Sequence, residues 1–527
     1  MYIGDPLSRR RIASPNATAL VDLAWDPPLR LTYRELDERA NRVAAALRTR
    51  GIGKGDRIAL LAHDGVAFYD AFFACGKLGA ILVPLNWRLH VRELAAQVER
   101  TVPAILFHAT TDVAGQAARS LLAHGAVASA EPLSTLTSLA ENGPVEAVTC
   151  EHLTEADTAC LLFTGGTTGA PKAAEISHGQ IAWNTLNTAL ADVRPTDVYL
   201  NVFPLFHAGG LFAFSAPLLI LGGTVVQTAR FDAASVLHAI ARERISIFAG
   251  VPAMFALVAA SPEWPAADLS SIRFCMSGGA PMPVPLIRRW RDEKGVVFRQ
   301  GFGMTEFGPG VFSLPAEEAE RKAGSIGRPN FFVDARIVDP VTNQPLPHDT
   351  TGELVLRGPS AMTGYFRDPE ATRAAFDREG WFHTGDLARV DEEGFFTIVD
   401  RLKDMYISGG ENVFPVEVEA ALHEHPAVAQ CAVLAVPDER WGQVGLAFVV
   451  RQQGARVTEH ELLAHAASRL ARYKLPRSIQ FRDALPMSGA GKVMKRTLRE
   501  EIANADMPGD EPAHPSFKPD TMPGRRI

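Results

Sequence analysis

The sequence predicts an α/β fold. A large N-terminal domain of parallel-rich sheets flanked by helices carries a β-rich subdomain, and a small mobile C-terminal α+β domain follows. Three observations support this. Helical patterns alternate with short apolar runs through the first part of the chain. Such strands, separated by helices, belong to parallel sheets covered on both faces. From about Gly327 to Thr397 the texture changes to brief β-like runs with Gly and Pro turns, such as Gly352-Glu-Leu-Val-Leu-Arg-Gly358. A second change falls near Asp400.

The elements follow in order. Thr32 and Glu35 form a capping-box pattern, Leu36, Ala40, Val43 and Leu47 repeat on one face, and Gly51 stops the helix. A buried strand, Ile58-Ala-Leu-Leu61, comes next. Helix then strand recurs over Ala71–Leu82, Leu94–Phe107, Val236–Val251 and Pro285–Val297. The stretch Val198–Ala229 lacks Asp, Glu, Lys and Arg, yet Pro204, Pro217, Gly209-Gly210 and Gly222-Gly223 divide it. A membrane span needs about 20 unbroken apolar residues, so a strand, loop, short helix and strand are expected instead. Beyond Asp400 the pattern gives a helix at Val416–His423, strands at Val428–Val436 and Leu446–Val450, and a helix at Glu461–Arg472. Residues 1–400 therefore read as the N-terminal domain and 405–506 as a C-terminal domain, and 401–404, the few residues that join them, as a ready hinge. Residues 507–527, with five prolines, read as a disordered tail.

Composition excludes several classes. Of 527 residues, 47% are hydrophobic and 21% charged, which is ordinary globular usage and not that of a disordered or fibrous chain. The net charge of −7 offers no global basic field for nucleic acid or anionic lipid. The five cysteines, no two closer than ten residues, fit neither a disulfide framework nor a zinc site. Met1 to Arg11 lacks the apolar run of a signal peptide. A cytoplasmic protein with reduced thiols and no membrane span is expected; a homodimer is admitted.

The densest local signal is Leu161-Leu-Phe-Thr-Gly-Gly-Thr-Thr-Gly-Ala-Pro-Lys172. An apolar strand end runs into three glycines, three hydroxyls and a lysine. Glycines let backbone amides converge on phosphate oxygens, hydroxyls donate to the same oxygens, and the lysine adds a point charge. The spacing is not that of the Walker A loop, because Pro171 precedes Lys172 and Ala173 follows it. A plain Gly/Thr turn after a core strand is the bland alternative.

Thr164-Gly-Gly-Thr-Thr-Gly-Ala-Pro-Lys172 resembles the signature loop of the AMP-forming acyl-CoA synthetases, within the adenylate-forming superfamily. Further motifs follow in that family's order: Ser277-Gly-Gly-Ala-Pro281, Gly301-Phe-Gly-Met-Thr-Glu306, Trp381-Phe-His-Thr-Gly-Asp386, Asp400-Arg-Leu-Lys-Asp404 with Gly409-Gly410, and Gly491-Lys492. The resemblance spans about residue 15 to 503. It implies an ATP-dependent carboxylic acid–CoA ligase that forms an acyl-adenylate and then a thioester, using ATP, Mg²⁺ and coenzyme A.

By that resemblance, Thr164, Gly165, Gly166, Thr167, Thr168, Gly169 and Lys172 close over the β- and γ-phosphates. Gly279, Ala280 and Pro281 line the adenine slot. Phe302 stacks on the ring where the family usually has Tyr, and Gly303 and Met304 continue the nucleotide run. Thr305 donates to the α-phosphate, and Glu306, with Thr164, holds Mg²⁺. Asp386 and Arg401 take the ribose hydroxyls. Lys492 bridges the carboxylate substrate and the α-phosphate, and His207 gates the acyl pocket towards the thiol tunnel. Lys403 is the hinge, about which the C-terminal domain presents first Lys492 and then Gly409-Gly410. Arg440, Trp441, Tyr473, Lys474 and Arg477 offer cations and aromatics to the CoA nucleotide. Gly165, Ala173, Asp400 and Ala490 depart from common family residues without removing a charge the mechanism needs.

The acid is expected to be mainly apolar, with Ala208, Gly209 and Gly210 giving room and Phe248, Ala249 and Gly250 forming the opposite wall. The motif blocks favour a medium- to long-chain fatty acid, with benzoate- or cinnamate-type aryl acids as the alternative. Two other readings remain at this point: a free-standing enzyme that loads a carrier protein, and a non-catalytic nucleotide switch.

Overall fold

The computed structural model describes residues 3–125, 127, 129–164, 172–402, 404–408, 411–438, 441–470, 472–487 and 493–505. Gly165, Gly166, Thr167, Thr168, Gly169, Lys403, Gly409, Gly410, Arg440 and Lys492 lie outside the described residues, as does the tail from Met507. The chain divides into two compact units, Met1–Lys403 and Asp404–Ile527.

Among the described residues the first unit holds three sheets. In the nine-stranded sheet, Phe298–Phe302, Phe274–Gly278, Ile247–Gly250, Val198–Asn201, Thr224–Gln227 and Thr18–Asp22 pair in parallel in that order. Antiparallel strands close both edges. The six-stranded sheet is parallel from Ala130–Pro132 to Thr158–Thr164 and ends on the antiparallel strand Lys172–Ser177. The third sheet, Asp334–Val338, Gly352–Arg357, Phe382–Val390 and Phe396–Arg401, is antiparallel throughout.

Strand alternation distributes the core. Ile58 and Leu60 join a cluster with Leu20, Tyr199 and Ile247, whereas Ala59 and Leu61 join another with Leu94, Val98 and Leu106. Leu200, Phe248 and Cys275 enter a third cluster around Trp290. Both parallel sheets are thus buried on each face, which is why their strands read as continuous apolar runs. The helix Tyr33–Thr49 begins on the expected capping box: Thr32 Oγ1 accepts the Glu35 N–H, and Glu35 accepts the Thr32 N–H. Buried charges pin it to the helix Val66–Leu78. Lys77 lies 2.7 Å from both Asp5 and Asp37, and Arg39 forms a two-pronged pair with Asp70. The stretch from Val198 breaks as expected into the strand Val198–Asn201, a π-helical turn Leu211–Ser215, the helix Ala216–Leu221 and the strand Thr224–Gln227. No helix of the described residues is long and apolar enough to cross a membrane.

The second unit packs the helices Pro415–His423 and Glu459–Ala467 against a five-stranded sheet around Tyr406, Val418, Leu422, Val433 and Val449. The second of these helices ends five residues before the expected Arg472. There the Ser468 hydroxyl and the Arg469 guanidinium both donate to the His465 carbonyl. The strand Ser478–Arg482 and the helix Lys495–Ala505 were not expected from the sequence.

Candidate active site

The carboxyl ends of neighbouring parallel strands assemble the site, the usual place for ligands in open α/β sheets. The strand Phe274–Gly278 runs into Gly279, Ala280 and Pro281, and its neighbour Phe298–Phe302 runs into Gly303–Glu306; Gly278 and Gly301 face each other in register. Gly279 has φ +79°, a left-handed conformation that disfavours a side chain. Gln300, 4% exposed, accepts the Met282 N–H at 3.0 Å and ties the first turn to the second strand. Gly279, Ala280 and Pro281 are exposed, and Phe302 is half-buried with its ring edge-on to Phe312 at 5.8 Å.

Thr305 and Ala208 line one cleft together with Ile176, Gln180, Ile181, Asn184, Phe212, Gly308 and Pro309. Gln180 donates to the Thr305 carbonyl at 3.3 Å. Asn184 binds two sides of the cleft at once: its amide donates to the Phe212 carbonyl at 2.7 Å and its oxygen accepts the Gly310 N–H at 3.2 Å. Phe212, 3% exposed, lines the cleft and is backed edge-on by Phe72 at 5.8 Å. Phe248 does not form the expected opposite wall. On a strand, successive side chains alternate, and Phe248 points away into the other core, edge-on to Phe255 at 5.2 Å, while Ala249 faces the first cluster.

His207 is exposed and opens the short helix Ala208–Gly210, its Nδ1 accepting the Gly209 N–H at 3.1 Å. A ring nitrogen that accepts carries no proton, so the neutral ring has its hydrogen on Nε2. The loop before it is held at two points. Asn201, wholly buried, accepts the Phe203 N–H, and Asp64 accepts the Leu205 N–H at 2.7 Å. Loss of solvent pushes the half-buried Asp64 carboxyl up to about 7; the Leu205 N–H and Arg88 pull it down, and Asp22 raises it.

Thr164 and Lys172 are register partners on adjacent strands, at the two ends of the Gly-rich loop. The Lys172 ammonium lies 4.9 Å from the centre of the Tyr365 ring, and the Tyr365 hydroxyl donates to Glu306 Oε1 at 3.1 Å. Burial, and then the Glu306 carboxylate, push the phenol well above its ordinary value and keep it a donor. Among the described residues no three acidic, histidine or cysteine side chains gather into a metal cage. Glu306 offers hard carboxylate oxygens at the end of this chain of contacts. That donor set fits Mg²⁺, which takes one or two carboxylates and completes its octahedron from phosphate and water.

Asp386 and Arg401 pair in register on the antiparallel sheet, with Arg401 Nε 2.6 Å from Asp386 Oδ1. Asp386 is buried and Arg401 exposed. The turn before Asp386 rests on Glu353, a buried carboxylate that accepts the Gly385 N–H at 3.0 Å and meets His383 Nδ1 at 2.8 Å. In the second unit Trp441, Tyr473 and Arg477 are exposed, whereas Lys474 is engaged by Glu417 at 2.5 Å. The sequence reading did not pick out Glu353, Tyr365, Gln180, Asn184 or Gln300. They support site residues from other elements, and only a polar residue amid apolar ones (Glu353 in Gly352–Arg357) signalled any of them.

Residues 8–366 match the AMP-binding enzyme family and residues 417–492 its C-terminal domain. The chain is 43% identical to a feruloyl-CoA synthase of an Amycolatopsis species over 94% of this chain and 98% of the relative. It is 38% identical to the long-chain-fatty-acid–CoA ligase FadD13 of Mycobacterium tuberculosis, over 95% and 98%. Among solved structures, ATP-bound MatB from Rhodopseudomonas palustris superposes with a TM-score of 0.86 at 31% identity, over 95% of this chain and 99% of that one.

Proposed function

The chain belongs to the AMP-binding enzymes, as an ATP-dependent, AMP-forming acid–CoA ligase, and from that premise we propose the work of each residue and the class of acid. A carboxylate must acquire a good leaving group before a thiol can displace it. One carboxylate oxygen attacks the α-phosphorus of ATP and pyrophosphate leaves, giving the acyl-adenylate. The thiol then attacks the acyl carbon, AMP leaves with its oxygen, and the thiol proton is released.

Lys172, with the hydroxyls of the loop from Thr164, binds the β- and γ-phosphates and steadies the departing pyrophosphate. Glu306 and Thr164 hold Mg²⁺, which when bound neutralises the crowded triphosphate. Thr305 donates to the α-phosphate. Gly279–Pro281 and Phe302 enclose the adenine, with Gly303 and Met304 beside it, and Asp386 and Arg401 hold the ribose. Lys492 follows the transferring oxygen between carboxylate and phosphate. Its domain turns about Lys403 to bring Gly409 and Gly410 to the pantetheine. Arg440, Trp441, Tyr473, Lys474 and Arg477 receive the CoA nucleotide, and His207 gates the acyl cleft.

The observation that carries this reading is the shared cleft: Thr305 and Ala208, from turns after different strands, line the same space. For the class of acid, the feruloyl-CoA synthase at 43% identity supports an aryl acid such as a hydroxycinnamate. A fatty acid is the second reading, supported by the fatty-acid relative at 38% identity. Pyrophosphate release with CoA across a panel of aryl and straight-chain acids separates them. The aryl reading expects hydroxycinnamates to exceed C12–C16 acids in kcat/KM by about tenfold or more. The reverse order gives the fatty acid. Production of ADP and phosphate in place of AMP and pyrophosphate would overturn the assignment altogether.

A further inference from the structure

Tyr365 lies in a strap, residues 362–366, stitched between two parts of the first unit that the sequence keeps far apart. On one side the Glu175 N–H donates to the Gly364 carbonyl at 2.9 Å and the Phe366 N–H to the Ala173 carbonyl at 2.8 Å, so the strap pairs antiparallel alongside the strand that begins at Lys172. On the other side the Met362 N–H donates to the Glu306 carbonyl at 2.7 Å. The Tyr365 N–H is itself fixed, donating to Thr372 Oγ1 at 2.9 Å, and the residue is 9% exposed. Its ring is therefore rigidly placed between a cation and an anion: Lys172 4.9 Å from the ring centre and Glu306 3.1 Å from the hydroxyl.

A lysine and a glutamate this near a common side chain would be expected to close into an ion pair, each cancelling the other. No ion pair joins Lys172 to Glu306 here. An aromatic face attracts an ammonium, and a phenolic hydroxyl donates to a carboxylate, so one tyrosine satisfies both charges while holding them apart. We propose that Tyr365 is a positioning residue that keeps Lys172 and Glu306 separately available to a single magnesium–triphosphate. The hydroxyl orients the carboxylate for the metal, and the ring seats the ammonium for the phosphates. This rests on the reading of Glu306 as the metal carboxylate and Lys172 as the phosphate lysine.

The test is equilibrium binding of ATP by calorimetry to the full-length protein, with and without Mg²⁺ and with no acid present, alongside pyrophosphate exchange. In Tyr365→Phe the ring stays and the hydroxyl goes. Affinity for metal-free ATP is expected to hold within twofold, while the gain conferred by Mg²⁺ falls by about tenfold, the scale of one hydrogen bond to a charged group. Tyr365→Leu removes both roles and is expected to weaken metal-free ATP as well; should it fail to fold by circular dichroism, Tyr365→Phe decides alone. Wild-type binding of both forms by Tyr365→Phe, or equal weakening of both, overturns the proposal. Glu306→Gln separates the two failures. If it abolishes the Mg²⁺ gain and Tyr365→Phe does not, only the role of Tyr365 falls; if it leaves the gain intact, the metal assignment falls with it.

Discussion

A methyl group added at Gly303 would sit 1.9 Å from the Pro309 carbonyl oxygen. That contact is with backbone, which cannot rotate away as a side-chain tip can, so the turn between the strand Phe298–Phe302 and Thr305 would have to shift. Gly303→Ala is expected to lower kcat/KM for ATP-dependent pyrophosphate release by about tenfold or more, since a displacement of about 1 Å near reacting groups costs that much or more in rate; steady-state kinetics checks it. Glu353 makes a gentler case. Glu353→Gln keeps one acceptor for Gly385 but weakens the contact to His383, so KM for ATP is expected to rise about threefold with little change in KM for the acid. A rise confined to the acid would place Asp386 away from the ribose. Lys492→Ala is expected to abolish acid-dependent exchange of pyrophosphate into ATP while sparing thioester formation from supplied acyl-adenylate. Equal loss of both half-reactions would refute the division of labour between the faces of the second unit.

Among the elements, the loop from Phe203 to His207 shows how a short segment is fixed from outside itself. Gly210 must be glycine, because a Cβ there would meet the Pro204 carbonyl oxygen at 2.1 Å, and the loop closes on itself across that contact. Asn201 and Asp64 hold its amides. The Asp64 carboxyl titrates near 7 in the folded protein and near 4 when exposed, so the folded state binds the extra proton between those values. Its contribution to stability is full on the acid side and is lost as pH rises through about 7. Asp64→Asn keeps an acceptor for Leu205 and removes the titration. Its thermal midpoint relative to wild type is therefore expected to rise between pH 4 and pH 7 and level off above, by about 5 °C in total. A gap that is flat with pH would show that Asp64 is solvated like a surface carboxylate. At this scale capping and periodicity made the helix Tyr33–Thr49 legible in advance, since its signals are local. Helix Lys495–Ala505 escaped notice because its apolar face, Leu498 and Ile502, has meaning only against Leu434 and Phe448.

Across the whole molecule, each unit carries its own cores: the Trp290 cluster and its neighbours in the first, and the cluster around Tyr406 and Val433 in the second. Residues 1–403 produced alone are expected to unfold cooperatively on heating and to bind Mg-ATP, because the strap, Glu306 and Lys172 are all present. They should make no acyl-adenylate without Lys492. Adenylate formation by that fragment, followed by radiolabelled AMP, would remove Lys492 from the first half-reaction.

What the sequence determined by itself was what neighbouring residues enforce. Alternating apolar runs and helical faces gave the parallel sheets, and the contiguous glycine, threonine and lysine run between Thr164 and Lys172 is the basis on which phosphate binding is proposed there. Only the tertiary structure decided which side of a strand Phe248 faces, that Phe212 lines the cleft against Phe72, and that Tyr365 stands between Lys172 and Glu306. The last two relations join residues tens to hundreds of positions apart, and no local propensity records a contact that exists only after the sheets have packed.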